Sequence, residues 1–155
     1  MKQRFSFIVA VLLAAAIFLC IPAEVCAAEK GEAVESVMLD KINALREDAG
    51  LDALVVDEDL VDIAEIRAKE ASVKWSHVRP DGSDPLDLIP LDKWAGENLS
   101  YCKQREGRDI CDVMFTALCN SPTHLENMMF SEFSNIGIAT YERSGVVYVA
   151  YMFSS

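Results

Sequence analysis

Two runs rich in β-branched and aromatic residues, at 135–141 and 146–153, constrain the fold of this chain most strongly. Such runs favour β-strands, and the short Glu-Arg-Ser-Gly segment at 142–145 between them is typical of a hairpin loop. A shorter strand is expected at 95–101. Because the earlier part of the chain has helical spacing, this order predicts an α+β domain in which helices pack on an antiparallel sheet.

Helical spacing and helix start signals occur in four segments before the hairpin. These segments are 36–49, about 57–71, about 109–119, and a short one that begins at Ser121. Asp57 or Asp59 can cap the second helix, and Ser121 followed by Pro122 is an N-cap with proline at the first helical position. In the second helix, the apolar face leaves Arg67 among the outward positions.

The start of the chain has the organisation of a secretory signal peptide. Lys2 and Arg4 precede an uncharged apolar stretch at 5–21, and small residues follow it. This order predicts export, with cleavage after Ala27 or Ala28 and no stable membrane insertion afterwards. An uncleaved anchor is the alternative, because a stretch of this length can just span a bilayer. The expected organisation is a signal peptide at 1–27, a short flexible lead-in at 28–35, and one secreted or cell-surface domain at 36–155.

The exported domain is strongly acidic. The full sequence has a formal net charge of −11, and the signal peptide carries Lys2, Arg4 and Glu24, so its removal takes the charge to about −12. A domain this acidic repels phosphate backbones and anionic headgroups. Binding to nucleic acid or to a membrane surface is therefore not expected.

Export makes disulfides possible, and three cysteines remain after cleavage. They are Cys102, Cys111 and Cys119. The last two lie eight residues apart in one predicted helix, about 12 Å along its axis, whereas a disulfide needs Cα atoms within about 7 Å. A bridge, if one forms, therefore joins Cys102 to Cys111 or to Cys119. Three reduced, buried thiols are the alternative.

The sequence contains only two histidines, His77 and His124. Together with Glu97 they could form an open three-ligand site for Zn²⁺ or another divalent ion, with room for water. The alternative is that each histidine is a hydrogen-bonded structural residue. The sequence lacks a glycine-rich phosphate loop and a Gly-x-Ser-x-Gly motif, and no serine or cysteine nucleophile is expected.

Four segments, taken in order, resemble the CAP superfamily, which comprises cysteine-rich secretory proteins, antigen 5 and plant pathogenesis-related proteins. The bacterial secreted branch with SCP-like domains is the most similar. The segments are 42–46 with Gly50 and Leu51, Ser76 and His77 with 80–82, 96–99, and Ser121, Pro122 and His124 with Asn127. The hydrophobic terminal pair that begins at Ile136 and Gly137 matches as well, so the resemblance covers about 34–153.

The resemblance implies an α-β-α sandwich whose central cleft gathers two histidines and acidic residues. The residues that match are His77, Glu97 and His124. In many eukaryotic relatives a second glutamate, from the helix before the last histidine, completes the set. Ser121 falls roughly where that glutamate would be, so Ser121 is a candidate neighbour of the cleft. Metal binding is expected to be weaker than in those relatives.

These features predict a secreted binding module whose cleft holds a divalent ion, with a small apolar ligand or a protein partner. Members of the superfamily do not share one established reaction, so the resemblance does not select an activity. The alternative is a metal-dependent hydrolase, protease-like or esterase-like, in which the metal would lower the pKa of bound water. Without the second glutamate no clear general base is present, so a conventional enzyme is less expected than a binding protein.

Overall fold

A computed structural model describes residues 23–90 and 92–155, with side chains from Val34 onward. The apolar stretch at 5–21 lies outside the described residues. The elements are α1 (Ala23–Asp48), β1 (Val55–Val56), α2 (Glu58–Val73), a 3₁₀ turn (Pro85–Leu88), β2 (Ala95–Lys103), α3 (Ile110–Cys119), α4 (Pro122–Met129), β3 (Asn135–Arg143) and β4 (Val146–Ser154). Among the described residues, no helix is both long enough and apolar enough to cross a membrane.

The first helix extends further toward the N-terminus than the sequence pattern indicates. The segment 28–35, expected as a flexible lead-in, lies within α1. Val34 is buried in the core, and the carboxylate of Glu35 accepts a hydrogen bond from the backbone N–H of Thr140 at 2.8 Å. Packing against the sheet therefore includes Val34 and Glu35, which belong to the expected lead-in. Export and the cleavage point stay predictions.

The four strands form one sheet in the order β1-β3-β4-β2. β4 lies in the middle of the three long strands and pairs antiparallel with both β2 and β3. The expected antiparallel sheet is confirmed for these strands. The sequence pattern did not predict β1, which adds a parallel pairing to β3 through Val55 and Val56. Asn43 fixes the approach to this short strand, because its side-chain amide bonds both the N–H and the carbonyl of Leu54.

Helices cover both faces of the sheet, which confirms the α-β-α sandwich. Alternate residues of a strand point to opposite faces. In β4, Tyr151 and Phe153 pack with α1, α3 and α4, whereas Ala150 and Met152 pack with α2. All four side chains are fully buried. The sheet therefore separates two apolar clusters, a large one under three helices and a smaller one under α2.

Helix α2 lies unusually close to the sheet, because the contact is made of small residues. Ala64 and Ala68 are fully buried on its inner face. A Cβ atom on Gly137 of β3 would lie 2.1 Å from the backbone carbon of Leu60. Any side chain at this glycine would push the helix off the sheet. The position of α2 matters for the site described below, because this helix carries Arg67 and Glu70.

A buried arginine holds α4 in place. Arg46, at 1% exposure, donates hydrogen bonds to the carbonyls of Met128, Phe130 and Phe133 at 3.0–3.1 Å. These carbonyls lie at and beyond the end of α4, where no intrahelical donor is present. The guanidinium therefore satisfies the C-terminal end of the helix that carries His124.

The N-cap residues of α2 and α4 lie where the sequence predicts them, but the expected side-chain hydrogen bond is formed only in α2. Asp57 caps α2, and its carboxylate accepts from the N–H of Asp59 at 2.9 Å. Ser121 is the N-cap of α4, but its hydroxyl makes no capping bond and lies 3.4 Å from the Thr123 hydroxyl. The expected side-chain cap of α4 is therefore wrong, whereas the proline at its first position is confirmed.

The three cysteines are free thiols in the structure. Cys102 of β2 and Cys111 of α3 are buried in the large apolar cluster, and Cys119 packs against it. Burial raises the pKa of the Cys111 and Cys119 thiols, which keeps them protonated and unreactive. A bridge from Cys102 to one of the other two in the exported, oxidised protein stays a prediction.

Candidate functional site

The fold brings the three candidate residues together from three separate elements. His77 lies in the loop after α2, Glu97 on β2, and His124 in the first turn of α4. His77 Nδ1 lies 2.7 Å from Glu97 Oε1. The centroids of the His77 and His124 rings are 6.3 Å apart, and the ring planes are tilted by 46°. We call this group, with the space beside it, the histidine cleft.

Two asparagines tie β2 to α4 and thereby fix the distance between Glu97 and His124. The Asn98 amide donates to the carbonyl of His124 at 2.9 Å. The Asn127 amide donates to the carbonyl of Glu97 at 3.1 Å and to Asn98 Oδ1 at 2.9 Å. Asn98 is fully buried, where unpaired amide groups would be costly. The pair therefore acts as a rigid clamp behind the cleft.

Gly96 allows this close approach. A Cβ atom at this position would lie 2.9 Å from Phe133 Cζ and 3.2 Å from Asn127 Oδ1. The ring of Phe133 stacks on Phe153 and leaves no room to yield. A side chain at position 96 would therefore displace Asn127 and loosen the clamp.

A buried arginine that the sequence pattern misplaces holds Glu97. Arg67 of α2 is fully buried, although helical spacing put it among the outward positions. Its Nε donates to Glu97 Oε2 at 2.6 Å, and its Nη2 lies 3.4 Å from Glu97 Oε1. The same Nη2 donates to the carbonyl of Ser76 at 2.9 Å, next to His77. The expectation was wrong because periodicity assigns the Cα position, whereas this long side chain reaches along the helix edge to the sheet.

Beyond Arg67, further charged side chains of alternating sign form ion pairs toward the surface. Arg67 Nη1 donates to Glu70 Oε2 at 2.6 Å, and Arg79 Nη2 donates to Glu70 Oε1 at 2.8 Å. The result is a chain of ion pairs, which we call the charge chain: Arg79, Glu70, Arg67, Glu97 and His77. Sequence reasoning missed Glu70 and Arg79. The available signal was Arg67 with Glu70 at i, i+3, a spacing that places two side chains on one helix face.

The pKa values of the two histidines are shifted in opposite directions. The hydrogen bond to Glu97 raises the pKa of His77, and burial offsets only part of this effect. Burial lowers the pKa of His124, and the charge of nearby His77 lowers it further. His124 is therefore neutral near pH 7, with a ring nitrogen lone pair available as a metal or hydrogen-bond acceptor.

The donor set differs from a three-ligand metal site. Within 34–90 and 92–155, no group of three or more histidine, cysteine or acidic side chains is arranged to hold an ion. Both oxygens of Glu97 bond Arg67 or His77. The site therefore offers two imidazoles. Two imidazoles that share one zinc ion have ring centroids roughly 5 to 6 Å apart, because each Zn–N bond is about 2 Å. The observed 6.3 Å is close to this separation.

Beside His77 lies a cavity of about 480 Å³. His77, Glu97 and Asn127 line it together with the loop at 82–86, whereas His124 does not line it. Pro85 and Leu86 make that loop partly apolar. A cavity lined by both polar and apolar groups suits a small amphipathic ligand. Ser121, expected as a neighbour of the cleft, bonds Thr123 and does not line this cavity.

Comparison with known proteins assigns the family. A profile of the cysteine-rich secretory protein family, CAP, matches residues 39–154. The chain belongs to the CAP family. Uncharacterized protein YkwD of Bacillus subtilis is 28% identical over 122 residues, which cover 75% of this chain and 45% of YkwD. The chain thus spans less than half the length of this curated relative.

Two solved structures have the same fold as this chain. An outer surface protein of Borrelia burgdorferi superposes with a TM-score of 0.68 at 18% identity, covering 79% of this chain and 92% of that one. An extracellular SCP-domain protein of Bacillus anthracis superposes with a TM-score of 0.64 at 19% identity, covering 79% and 40%. Both relatives are described as external to the cell. At these identities the likeness establishes the fold alone.

Proposed function

We propose that this protein is a secreted CAP-domain binding module whose histidine cleft takes a divalent ion, with zinc as the first candidate. The observation that carries this proposal is the contact between His77 Nδ1 and Glu97. A carboxylate on one ring nitrogen fixes the tautomer and the ring orientation and leaves the other nitrogen for a metal. The ring of His124 lies beside that of His77, with centroids 6.3 Å apart, and burial lowers the pKa of His124, which favours the neutral form that a metal needs. A structure of the same fold, NaASP2, was determined with Zn²⁺, at 15% identity and a TM-score of 0.59.

In this proposal Glu97 positions a ligand rather than acting as one. Arg67 and His77 already occupy its oxygens, so the carboxylate orients the His77 ring and balances the charge of Arg67. The ion would be held by His77 and His124, with water or a ligand atom as its remaining partners. A bound ion would supply an electrophilic anchor for a polar headgroup, while Leu86 and Pro85 contact the apolar part. The natural occupant is thus a small apolar ligand with one polar end, or a partner segment of the same chemistry.

The geometry gives less support to the alternative, a metal-dependent hydrolase. Such an enzyme needs a base within hydrogen-bond reach of the attacking water. Among the described residues, the carboxylates that line the cavity are Glu97 and Asp84, and Glu70 lies behind them on Arg67. Glu97 and Glu70 each accept a hydrogen bond from Arg67 at 2.6 Å, and Asp84 Oδ1 accepts one from the backbone N–H of Leu86 at 2.9 Å. A carboxylate held this way is a weak base. We therefore expect no chelator-sensitive turnover of casein, simple esters or peptidoglycan.

Isothermal titration with ZnCl₂ tests the binding proposal. Wild type should bind one equivalent at pH 7.5, and His77→Ala and His124→Ala should each weaken binding by at least about tenfold. Thiols are also zinc ligands, so Cys119→Ser is the matched control and should leave the affinity unchanged. Unaltered binding in both histidine variants, or its loss in Cys119→Ser, would refute the proposal. Thermal melts of each variant separate loss of a ligand from loss of the fold.

A further inference from the structure

The sheet continues past the end of α2 and leaves an aromatic row exposed. On the face toward α2, the last covered row is Leu99, Ala150 and Ala139, which pair in register across β2, β4 and β3. The next row on the same face consists of three tyrosines, Tyr101, Tyr148 and Tyr141, in the same register. Trp75 follows the C-terminus of α2 and packs beside this row. We call these four residues the aromatic face.

The rings of Trp75, Tyr101 and Tyr148 contact one another, and the aromatic face is open to solvent. Trp75 meets Tyr101 edge-on with centroids 4.7 Å apart, and Tyr101 lies 5.8 Å from Tyr148 with the planes tilted by 30°. Trp75 is 49% exposed, Tyr101 55% and Tyr141 37%. A contiguous exposed patch of large aromatic side chains marks an interaction site more often than a neutral surface.

Cationic side chains border this face. One row further along the sheet, Lys103 and Arg143 flank Val146 in register and point to the same side as the tyrosines. Lys74 adjoins Trp75, and all three cations are exposed. Within the described residues, none of the three forms a carboxylate ion pair. The acidic Glu142 lies between Tyr141 and Arg143 on β3, and so points to the opposite face.

This local excess of positive charge contrasts with the whole chain, whose net charge is −11. A cationic border on an acidic protein attracts an anion to that place and repels it elsewhere. The aromatic groups are tyrosine and tryptophan, which combine an apolar ring with a hydrogen-bonding group. The face therefore suits a ligand that is hydrated, flat and negatively charged.

We propose that the aromatic face binds an anionic polysaccharide. The C–H faces of sugar rings would stack on Tyr101 and Tyr148, because the π-face of an aromatic ring is its negative side. Carboxylate or phosphate groups of the glycan would pair with Lys103 and Arg143. The face is a rigid sheet surface without a deep pocket, which favours a chain of flat rings over a peptide with protruding side chains. An extended anionic membrane would also face the acidic remainder of the domain, whereas a glycan strand can contact the cationic border alone.

This surface is distinct from the histidine cleft. Tyr101 lies four residues along β2 from Glu97, about 13 Å at the rise of a strand. The proposal therefore does not depend on metal binding, and zinc should leave glycan binding unchanged.

Affinity electrophoresis of the mature protein tests the proposal. The probes are polygalacturonate and a phosphomannan as anionic glycans, and hydroxyethyl cellulose as the neutral one. Wild type should be retarded by at least one anionic glycan and much less by the neutral polymer. Tyr101→Ala and Trp75→Ala should each weaken retardation about tenfold, and Lys103→Gln should weaken it and reduce its salt dependence. Trp94→Ala removes the other tryptophan, which is 61% exposed and lies away from this face, and should have no effect.

Three outcomes would overturn the proposal. The first is no retardation of wild type by either anionic glycan. The second is equal retardation of wild type, Tyr101→Ala and Trp75→Ala. The third is stronger binding to poly-glutamate or to vesicles of phosphatidylglycerol and phosphatidylcholine, which would assign the face to an acidic protein segment or to a membrane.

Discussion

Replacing Arg67 by Met tests whether the charge chain is a structural support of the histidine cleft. Methionine keeps much of the length and apolar volume of arginine but removes the guanidinium. Glu97 would lose its 2.6 Å bond from Arg67 and keep only His77, while remaining 7% exposed. Removing one partner of a buried ion pair costs about 3–5 kcal/mol, because the other charge stays buried. We expect a loss of this size and a fall in Tm of roughly 10 °C or more.

The partner variant Glu97→Gln should cost less than Arg67→Met. Glutamine removes the charge that requires pairing, and Arg67 keeps its 2.6 Å bond to Glu70. We expect a loss of about 1–2 kcal/mol, the cost of one imperfect buried hydrogen bond. The double variant should lie close to Glu97→Gln alone, because the two residues act as a unit.

Urea unfolding followed by circular dichroism measures all three variants. Lys69→Met, on an exposed position of the same helix, is the control and should stay within about 0.5 kcal/mol of wild type. The reasoning is refuted if Arg67→Met costs less than about 1 kcal/mol, or if Glu97→Gln proves the more destabilising change. In either case Arg67 would not be the group that balances Glu97.

Three further predictions concern pH, packing and processing. In metal-free protein, an NMR titration should place the pKa of His77 above about 6.5 and the pKa of His124 below it. The contribution of His77 to the free energy of unfolding is then complete below about pH 6.5 and is lost as the pH rises through its raised pKa. The contribution of His124 is complete above about pH 6.5 and is lost as the pH falls below it. A pKa of His77 at or below about 6.5 would contradict the hydrogen bond to Glu97. Gly137→Ala should cost about 3 kcal/mol or more in urea unfolding, because the new methyl group meets the backbone of α2; a neutral effect would mean that the helix can shift freely. Secreted protein should begin at Ala28 or Glu29 by mass spectrometry, and an intact Met1 terminus would contradict the predicted signal peptide.

Much of the fold could be predicted from the sequence, because the long elements have clear periodicity. The two strands of the hairpin at 135–153 are predicted by their β-branched and aromatic residues, and the helix faces by apolar residues at 3.6-residue spacing. Both patterns are visible in short stretches of sequence. The two-residue strand β1 could not be found this way, since two residues hold no period. Its pairing depends on Asn43 and on β3, which is almost eighty residues later.

The candidate site was predicted only in part, for a related reason. The resemblance supplied His77, Glu97 and His124, and the structure brings all three together. Arg67 was missed because its partner Glu97 lies thirty residues away on another element. A helical wheel places arginine on the solvent-exposed face of a helix. Here the buried carboxylate of Glu97, at the sheet edge, makes the buried position of Arg67 favourable. The role of Glu97 likewise depends on which groups occupy its oxygens, and spacing carries no information about that.

The most direct test of the central claim is a crystal of the mature protein soaked in ZnCl₂, with diffraction recorded above and below the zinc absorption edge. We expect one anomalous peak between the rings of His77 and His124, with Glu97 still bonded to Arg67 and His77. The peak should vanish in crystals of His124→Ala. A cleft without a peak, or a peak at Cys119 alone, would contradict the proposal that the two histidines share a metal ion.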